Sequence, residues 1–366
     1  MKKMMWSGLA ALVLTAGGCT SQESSTAPAE TGTSHEEESA AEEETTPEKE
    51  EEQKEPVKDP EEEEPSYEAV EPLTGKGTNE VPAARPLAVM INNHPDARPQ
   101  TGLTEADIVY EVLTEGELTR FLAIYQSGHP EKLGPVRSAR GYFIDLAEGY
   151  DAMYVAHGWS PEAKRTLQGG AVPYLNGLFH DGTLFQRSTQ RRAPHNSYIS
   201  YEDALGGLES KGYELQKDVP ANFYREEGFS AVSADTAEDV SVWYSDKYVV
   251  QFSYNQEDGT YERSSDNTAF AGENAAEQTE ASNVLIVEAP HRVVDKAGRR
   301  QINLADGGSG LMLQNGEALD VQWRNEGGRL LPYKDGEKVP FQPGKTWINV
   351  IPASAGLEES VEGVES

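Results

Sequence analysis

One stretch of this sequence cannot contribute to a core, and that limits where a fold can form. From residue 20 to residue 80 the chain is built of Glu, Pro, Ser, Thr and Ala; it holds 21 acidic residues against 4 lysines, with Tyr67 its one aromatic. Such a segment buries too little apolar area to offset its ordering entropy, and it repels itself. It is expected to be a disordered acidic spacer. The fold must then come from residue 81 onward, a length sufficient to bury a core without cross-links. No cross-links are on offer: Cys19 is the single cysteine, which excludes an intramolecular disulfide and Cys-ligated zinc. The net charge of −32 argues against nucleic acid as a partner, since phosphates require basic surface.

Residues 1–19 read as a signal peptide. Lys2 and Lys3 precede an apolar run, Met4 to Ala16, and small residues follow. The run is too short for a comfortable membrane span. Thr15-Ala16-Gly17-Gly18-Cys19 looks like a bacterial lipobox, in which the thiol, the best side-chain nucleophile near neutral pH, accepts a lipid. Cys19 then becomes the first residue of a chain anchored to the outer face of the cell membrane. An ordinary secretory peptide with an incidental cysteine is the alternative.

Past the spacer the texture changes once. Residues 81–215 alternate strand-like and helix-like patterns, as in a mixed α/β domain. Leu87 to Ile91 and Met153 to Ala156 are continuous apolar runs, the mark of strands buried on both faces. Ile108 to Leu113 and Phe121 to Tyr125 flank a turn at Glu115-Gly116-Glu117. Helices are expected to start at Ser138, at Ser160-Pro161 and at Ser200, each serine a cap, and Thr104 to Asp107 resembles a capping box. Residues 235–355 lose the helical period and form a β-rich, mostly antiparallel domain. Asp258-Gly259, Asn315-Gly316 and Asp335-Gly336 mark its hairpins. Arg263 to Ser282 reads as a polar insertion and residues 356–366 as an acidic tail. The expected class is mixed α+β or α/β, with the β-rich part second.

Four segments, RPLAVMINNHPDARPQTGLTEADIVYE from Arg85, GPVRSAR from Gly134, APHN from Ala193 and GKTWINVIP from Gly344, resemble the YerB-like lipoproteins of Gram-positive bacteria. That family pairs an N-terminal and a C-terminal domain of unknown function. The resemblance spans roughly residues 82–352 and implies a two-domain, cell-surface lipoprotein. It carries no activity, so no catalytic residue is transferred.

Hydrolase motifs are missing. There is no Gly-x-Ser-x-Gly and no His-Glu-x-x-His, and the histidines are too scattered to signal a metal site. No cofactor is implied. Two features stand out. The strands ending at Ile91 and Ala156 run into Asn92-Asn93-His94 and His157; if parallel, they would place Asn92, His94 and His157 on one rim, where α/β sheets bind ligands. Two stretches, Lys132 to Ile144 and Gly182 to Tyr201, carry arginines and no acid. Guanidinium groups suit carboxylate or phosphate. Arg137, Arg140, Arg192, His195 and Asn196 are therefore expected to join Asn92, His94 and His157 in one anion-binding cleft. The opposing reading pairs these arginines with Glu111, Glu115 or Asp145 inside the fold. Glu111 and Glu115 could instead act as acid and base, with Trp159, Tyr174, Tyr198 and Tyr201 stacking on sugar. Two functions result: a tethered protein that binds an anionic wall component or an extracytoplasmic protein, or an extracellular hydrolase of wall glycan or phosphodiester.

Overall fold

In the computed structural model, which describes residues 67–225, 234–265, 268–269 and 279–365, the two sequence textures are woven into one sheet. The signal peptide, Cys19 and residues 20–66 lie outside the described residues. The first half supplies β1 (Leu87–Asn92), β2 (Ile108–Leu113), β3 (Thr119–Tyr125), α1 (Gly141–Glu148), β4 (Met153–Ala156), α2 (Pro161–Gln168), β5 (Tyr174–Asn176) and α3 (Tyr201–Ser210). The second supplies β6 (Asp239–Ser245), β7 (Tyr248–Asn255), β8 (Thr260–Ser265), β9 (Asn283–Ala289), β10 (Gly308–Gln314), β11 (Glu317–Glu326), β12 (Arg329–Lys334) and β13 (Thr346–Pro352), then α4 (Gly356–Ser360) and β14 (Val361–Glu362).

Among the described residues the main sheet has twelve strands. Its path runs β12-β11-β10-β9-β13-β2-β3-β1-β4-β5, with Glu337–Lys338 beyond β12. The join is parallel: β13 lies between β9 and β2, with Ile348 opposite Tyr110 on one side and Leu285 on the other. A second, antiparallel sheet is built on β8, β7, β6 and β14. The continuous apolar runs follow from burial on both faces. In β1, Ala88 and Met90 enter one apolar cluster with α1 and α2, while Leu87, Val89 and Ile91 enter another with α3 and the second sheet. The expected class, mixed α/β followed by antiparallel β, holds.

Ser160 and Ser200 cap as expected, accepting from Ala163 N at 3.2 Å and Asp203 N at 2.9 Å. Asn315-Gly316 and Asp335-Gly336 have positive φ at both positions (55° and 75°, 52° and 91°), the geometry of a type I′ hairpin.

Five local expectations are corrected. Ser138 does not start a helix: its hydroxyl donates to His157 O at 3.1 Å, and α1 begins three residues later with Arg140 extended at the cap position (φ −131°). Thr104–Asp107 is no capping box. Leu103–Glu105 makes one 3-10 turn, and the Asp107 carboxylate accepts from Gln126 N (2.6 Å) and Ser127 N (3.0 Å) instead. The last part of the acidic spacer is folded: Ala69–Val70 pairs with Gly77–Thr78, and Leu73 is 1% exposed, an apolar anchor in a polar stretch. The acidic tail is also structured, because Leu357, Val361 and Val364 pack on the core and β14 pairs with β6. The polar insertion starts later than expected, since Arg263 sits inside β8 and is buried; residues 266–267 and 270–278 lie outside the described residues.

Candidate functional site

β1, β4 and β5 are parallel neighbours, so their carboxyl ends share one edge of the sheet. His94 follows β1, His157 follows β4, and Asn176 ends β5. A two-residue ladder, Gln186–Arg187 with Ser197–Tyr198, folds back over this edge. Arg191 fastens that hairpin to the loop after His94, donating to Pro99 O at 2.6 Å and to Ala97 O.

His157 is held from both sides. Arg187 Nη2 lies 2.9 Å from Nε2 and Ser197 Oγ 2.7 Å from Nδ1. A guanidinium only donates, so Nε2 accepts, Nδ1–H donates to the serine, and the ring is neutral. Burial, then Arg187, lower its pKa in accord. Gly177 stands so close that a Cβ would lie 2.3 Å from Nδ1; only glycine fits there. Arg187 also binds Asp181 (Nε to Oδ1, 2.9 Å) and Asn196 Oδ1 (3.1 Å). Arg187 therefore latches the hairpin, and Asn196 is a partner in the latch.

His195 and His94 lie ring against ring, tilted by 32°, with centroids 4.4 Å apart. Asn92 Nδ2 donates to His195 Nδ1 at 2.8 Å, and the amide orientation is fixed because Asn92 Oδ1 accepts from His94 N at 3.1 Å. Asp96 N donates to His94 Nδ1 at 3.1 Å. With both Nδ1 atoms accepting, each neutral ring carries its proton on Nε2, leaving two N–H donors for a ligand. Burial, then His94 and Arg137, lower the His195 pKa. The Asp96 carboxylate is nearby, and ligand-type atoms of His94, Asp96 and His195 fall within 4.8 Å of one another. The sequence, where no metal site was expected, gave no hint of this grouping. To bind a cation through Nε2, His94 would have to move its proton and lose the bond from Asp96 N.

Arg137 completes the edge. Its charge reaches both His157 and His195. Its Nε is buried and has no hydrogen-bond partner among the described residues. Burial, then repulsion from Arg140, lower its pKa.

Of the residues expected in one cleft, six lie along this edge and two do not. Asn92, His94, Arg137, His157, His195 and Asn196 come together. Arg140 does not join them. Extended at the helix cap, it turns to Glu115, bonding Oε1 through Nε at 2.7 Å, while Arg120 Nη2 takes Oε2 at 2.7 Å. Burial raises the Glu115 pKa, but the two arginines outweigh it and the net shift is down; burial, then Arg140, push Arg120 down to about 10. Arg192 is exposed at the hairpin tip, where its carbonyl accepts from His195 N at 2.9 Å. Glu111 and Glu115 are no acid–base pair, because each is occupied by arginine: Glu111 is fully buried on Arg263 at 2.7 Å. Of the aromatics considered for stacking, Tyr198 and Tyr201 are buried. Trp159 meets Tyr174 and the exposed Phe179 edge-on. Sequence reasoning missed Asp181, Ser197 and Asp96. Asp181 had one signal, its place just before the acid-free stretch.

Residues 73–214 match the N-terminal domain, and residues 240–348 the C-terminal domain, of a family described as protein of unknown function (DUF3048). Over 285 residues the chain is 46% identical to YerB of Bacillus subtilis (strain 168), a protein whose name carries a provisional lipoprotein assignment; the match covers 77% of this chain and 86% of YerB. The crystal structure of YerB protein from Bacillus subtilis is similar with a TM-score of 0.74 at 44% identity, covering 80% of this chain and 98% of that one. The chain belongs to the YerB-like family of paired DUF3048 domains.

Proposed function

We propose that this protein is a lipoprotein held outside the cell membrane through Cys19, and that it binds an oxyanion at the Arg137 edge. The anchor reading rests on the lipobox-like Thr15–Cys19 and on the name of the Bacillus relative. No helix among the described residues is long and apolar enough to cross a membrane. The observation that carries the binding site is the set of free donors. Arg137 is a part-buried guanidinium with an unmet N–H, and its charge reaches His195, whose ring lies against that of His94; the Nδ1 atoms of both rings are occupied as acceptors. Such a group can bind one carboxylate or phosphate with charge-assisted hydrogen bonds. Hydrolysis is less well supported. A general base needs a free lone pair or carboxylate at the site; His157 gives its lone pair to Arg187 and Glu115 is taken by two arginines, which leaves the exposed Asp96 carboxylate beside His94 and His195 as the base such a reaction would have to use.

Charge-assisted contacts contribute about 1.5–3 kcal/mol, or roughly ten-fold and more in affinity. Titration calorimetry with phosphate and pyrophosphate should show Arg137→Ala weakened by that factor at an almost unchanged melting temperature. Arg140→Ala should do the reverse, losing stability while the folded fraction still binds. Equal titration of Arg137→Ala and the parent protein would overturn the assignment.

A further inference from the structure

A cleft of about 290 Å³ opens where three elements distant in sequence meet: the start of α1 at Arg140 and Gly141, the start of α2 at Ser160 and Pro161, and a hairpin that pairs His291–Val293 with Arg300–Ile302. The hairpin is pinned in place. Arg300 Nη2 donates to Gly116 O at 2.6 Å, in the turn between β2 and β3, and a Cβ on Gly298 would stand 3.5 Å from Gly116 N. Four arginines line the cleft, Arg140, Arg165, Arg299 and Arg300, against two carboxylates, Glu162 and Asp295.

The charges there do not cancel. Asp295 is taken by Arg299 at 3.1 Å, and Arg140 by Glu115. Glu162 leans on the start of α1, which has no side-chain cap; its carboxylate oxygens stand 3.3 and 3.4 Å from the place of a Gly141 Cβ. Arg165 is exposed and Arg300 half-buried, and neither makes an ion pair among the described residues. Arg140 carries the positive tract onward: its charge reaches both Arg120 and Arg137, and Glu115 is the carboxylate that all three act on. Along the cleft and this extension six arginines face three carboxylates, in a chain whose net charge is −32. A basic tract held together against that surround marks a specific site better than general attraction.

Arg137 and Arg140 are three residues apart, so their Cα atoms are separated by at most about 11 Å. The Arg137 edge and the cleft are therefore neighbours across the Arg140–Glu115 pair. We infer that the ligand of the Arg137 edge is a linear polyanion with repeated phosphate groups, one phosphate meeting Arg137 and a later one meeting Arg165 and Arg300 in the cleft. The inference rests on the anion reading of Arg137 given above and names the class of ligand. Guanidiniums bind phosphate oxygens in pairs, and arginines arriving from two walls suit a tetrahedral group better than a planar carboxylate. Joining two modest contacts in one chain multiplies affinity through effective concentration, which gives an exposed group such as Arg165 a part in binding. No aromatic side chain lines the cleft, so it offers no platform for the bases of a nucleic acid.

The test is calorimetric titration with inorganic phosphate, tripolyphosphate and long-chain polyphosphate. Affinity should rise at least about ten-fold from phosphate to the long chain. Arg165→Ala and Arg165→Glu should remove most of that rise and leave the phosphate titration unchanged. The Arg165 side chain has no hydrogen bond or ion pair to lose, so both variants should melt at the parent temperature. Arg300→Gln should act in the same direction, and Arg137→Ala should weaken phosphate and polyphosphate alike. Lys334→Ala, which removes a cation from β12, should change nothing. Affinity that does not grow with chain length, a rise that survives in the Arg165 variants or is lost equally in Lys334→Ala, or polyphosphate binding that Arg137→Ala leaves intact would each overturn this inference and leave the phosphate site at Arg137 standing. Absence of phosphate binding to the parent protein would overturn both.

Discussion

Removing one member of the Glu111–Arg263 pair should destabilise the whole described fold. The two residues lie 152 positions apart, on β2 and β8, and their side chains are 0% and 1% exposed. Arg263 bonds Glu111 Oε2 through Nη2 at 2.7 Å and Nε at 3.2 Å. Tyr248 Oη and Thr119 Oγ1 donate to Oε1 at 2.7 and 2.8 Å, and the guanidinium lies over Trp347 at 4.6 Å. Burial pulls the Arg263 pKa down, but Glu111 more than offsets it and the net shift is up. Breaking such a pair from one side costs about 3–5 kcal/mol, because the survivor is left charged and dry. At about 2–4 °C per kcal/mol for large domains, Glu111→Gln should lower the melting temperature by about 6–20 °C. Arg263→Met should do likewise. The double replacement Glu111→Leu, Arg263→Met should cost at least about 2 kcal/mol less than the sum of the singles. Calorimetry and urea denaturation at matched pH measure all three. A single-variant shift under about 2 °C, or strict additivity, would refute the reasoning.

Other outcomes follow from the same structure. A chain of residues 67–366 should melt in one transition, and residues 67–215 alone should fail to give a dispersed NMR spectrum, since β2 would lose its parallel partner β13 and uncover Tyr110 and Val112. Burial holds the His291 pKa at about 4, against about 6.5 unfolded. A lowered histidine contributes stability that is present above the unfolded value and lost as pH falls toward the folded one, here about 3 kcal/mol between pH 6.5 and 4. Urea titrations across that window should show the slope, and His291→Gln should flatten it. Cys19→Ala should leave the protein as precursor or release it from membranes; mature, detergent-extractable protein from that variant would rule out the anchor.

What the sequence revealed was local. Runs such as Leu87–Ile91 announce doubly buried strands, Asn315-Gly316 announces its hairpin, and Ser160-Pro161 its helix start, because each signal sits within a few residues of its effect. The parallel rim was also readable, since His94 and His157 follow strands joined by a helix-bearing crossover. The places where reading failed are those where a distant segment decides. Ser138 looks like a cap until His157 O takes its hydroxyl. The tail after Leu357 and the stretch around Leu73 look too polar to fold, yet one or two apolar side chains find a prepared groove. That β13 would be inserted between β9 and β2 has no local trace at all.

The arginines show the same limit and also how the site emerges from it. By type and neighbourhood Arg120, Arg137, Arg140, Arg187 and Arg263 are alike; what separates them is which acceptor the fold delivers. Glu115 meets Arg140 from 25 residues away and Arg120 from 5, Asp181 meets Arg187 from 6, and Glu111 meets Arg263 from 152. Each of these guanidiniums is consumed in fixing a hairpin, a helix start or a joint between sheets. Arg137 makes no ion pair among the described residues, Glu115 acting on it only from a distance, although it is part-buried and its charge reaches two histidines already committed at Nδ1. Leaving a buried N–H unmet costs about 1–3 kcal/mol, and Arg300 Nε carries the same cost; what marks Arg137 is its place beside His157 and His195, where an external oxyanion would meet its charge. Phosphate should accordingly raise the melting temperature of the parent protein and of Arg187→Lys, which keeps the cation near His157, but not that of Arg137→Ala. A phosphate-induced rise that persists in Arg137→Ala would place the anion elsewhere and return Arg137 to the ranks of the structural arginines.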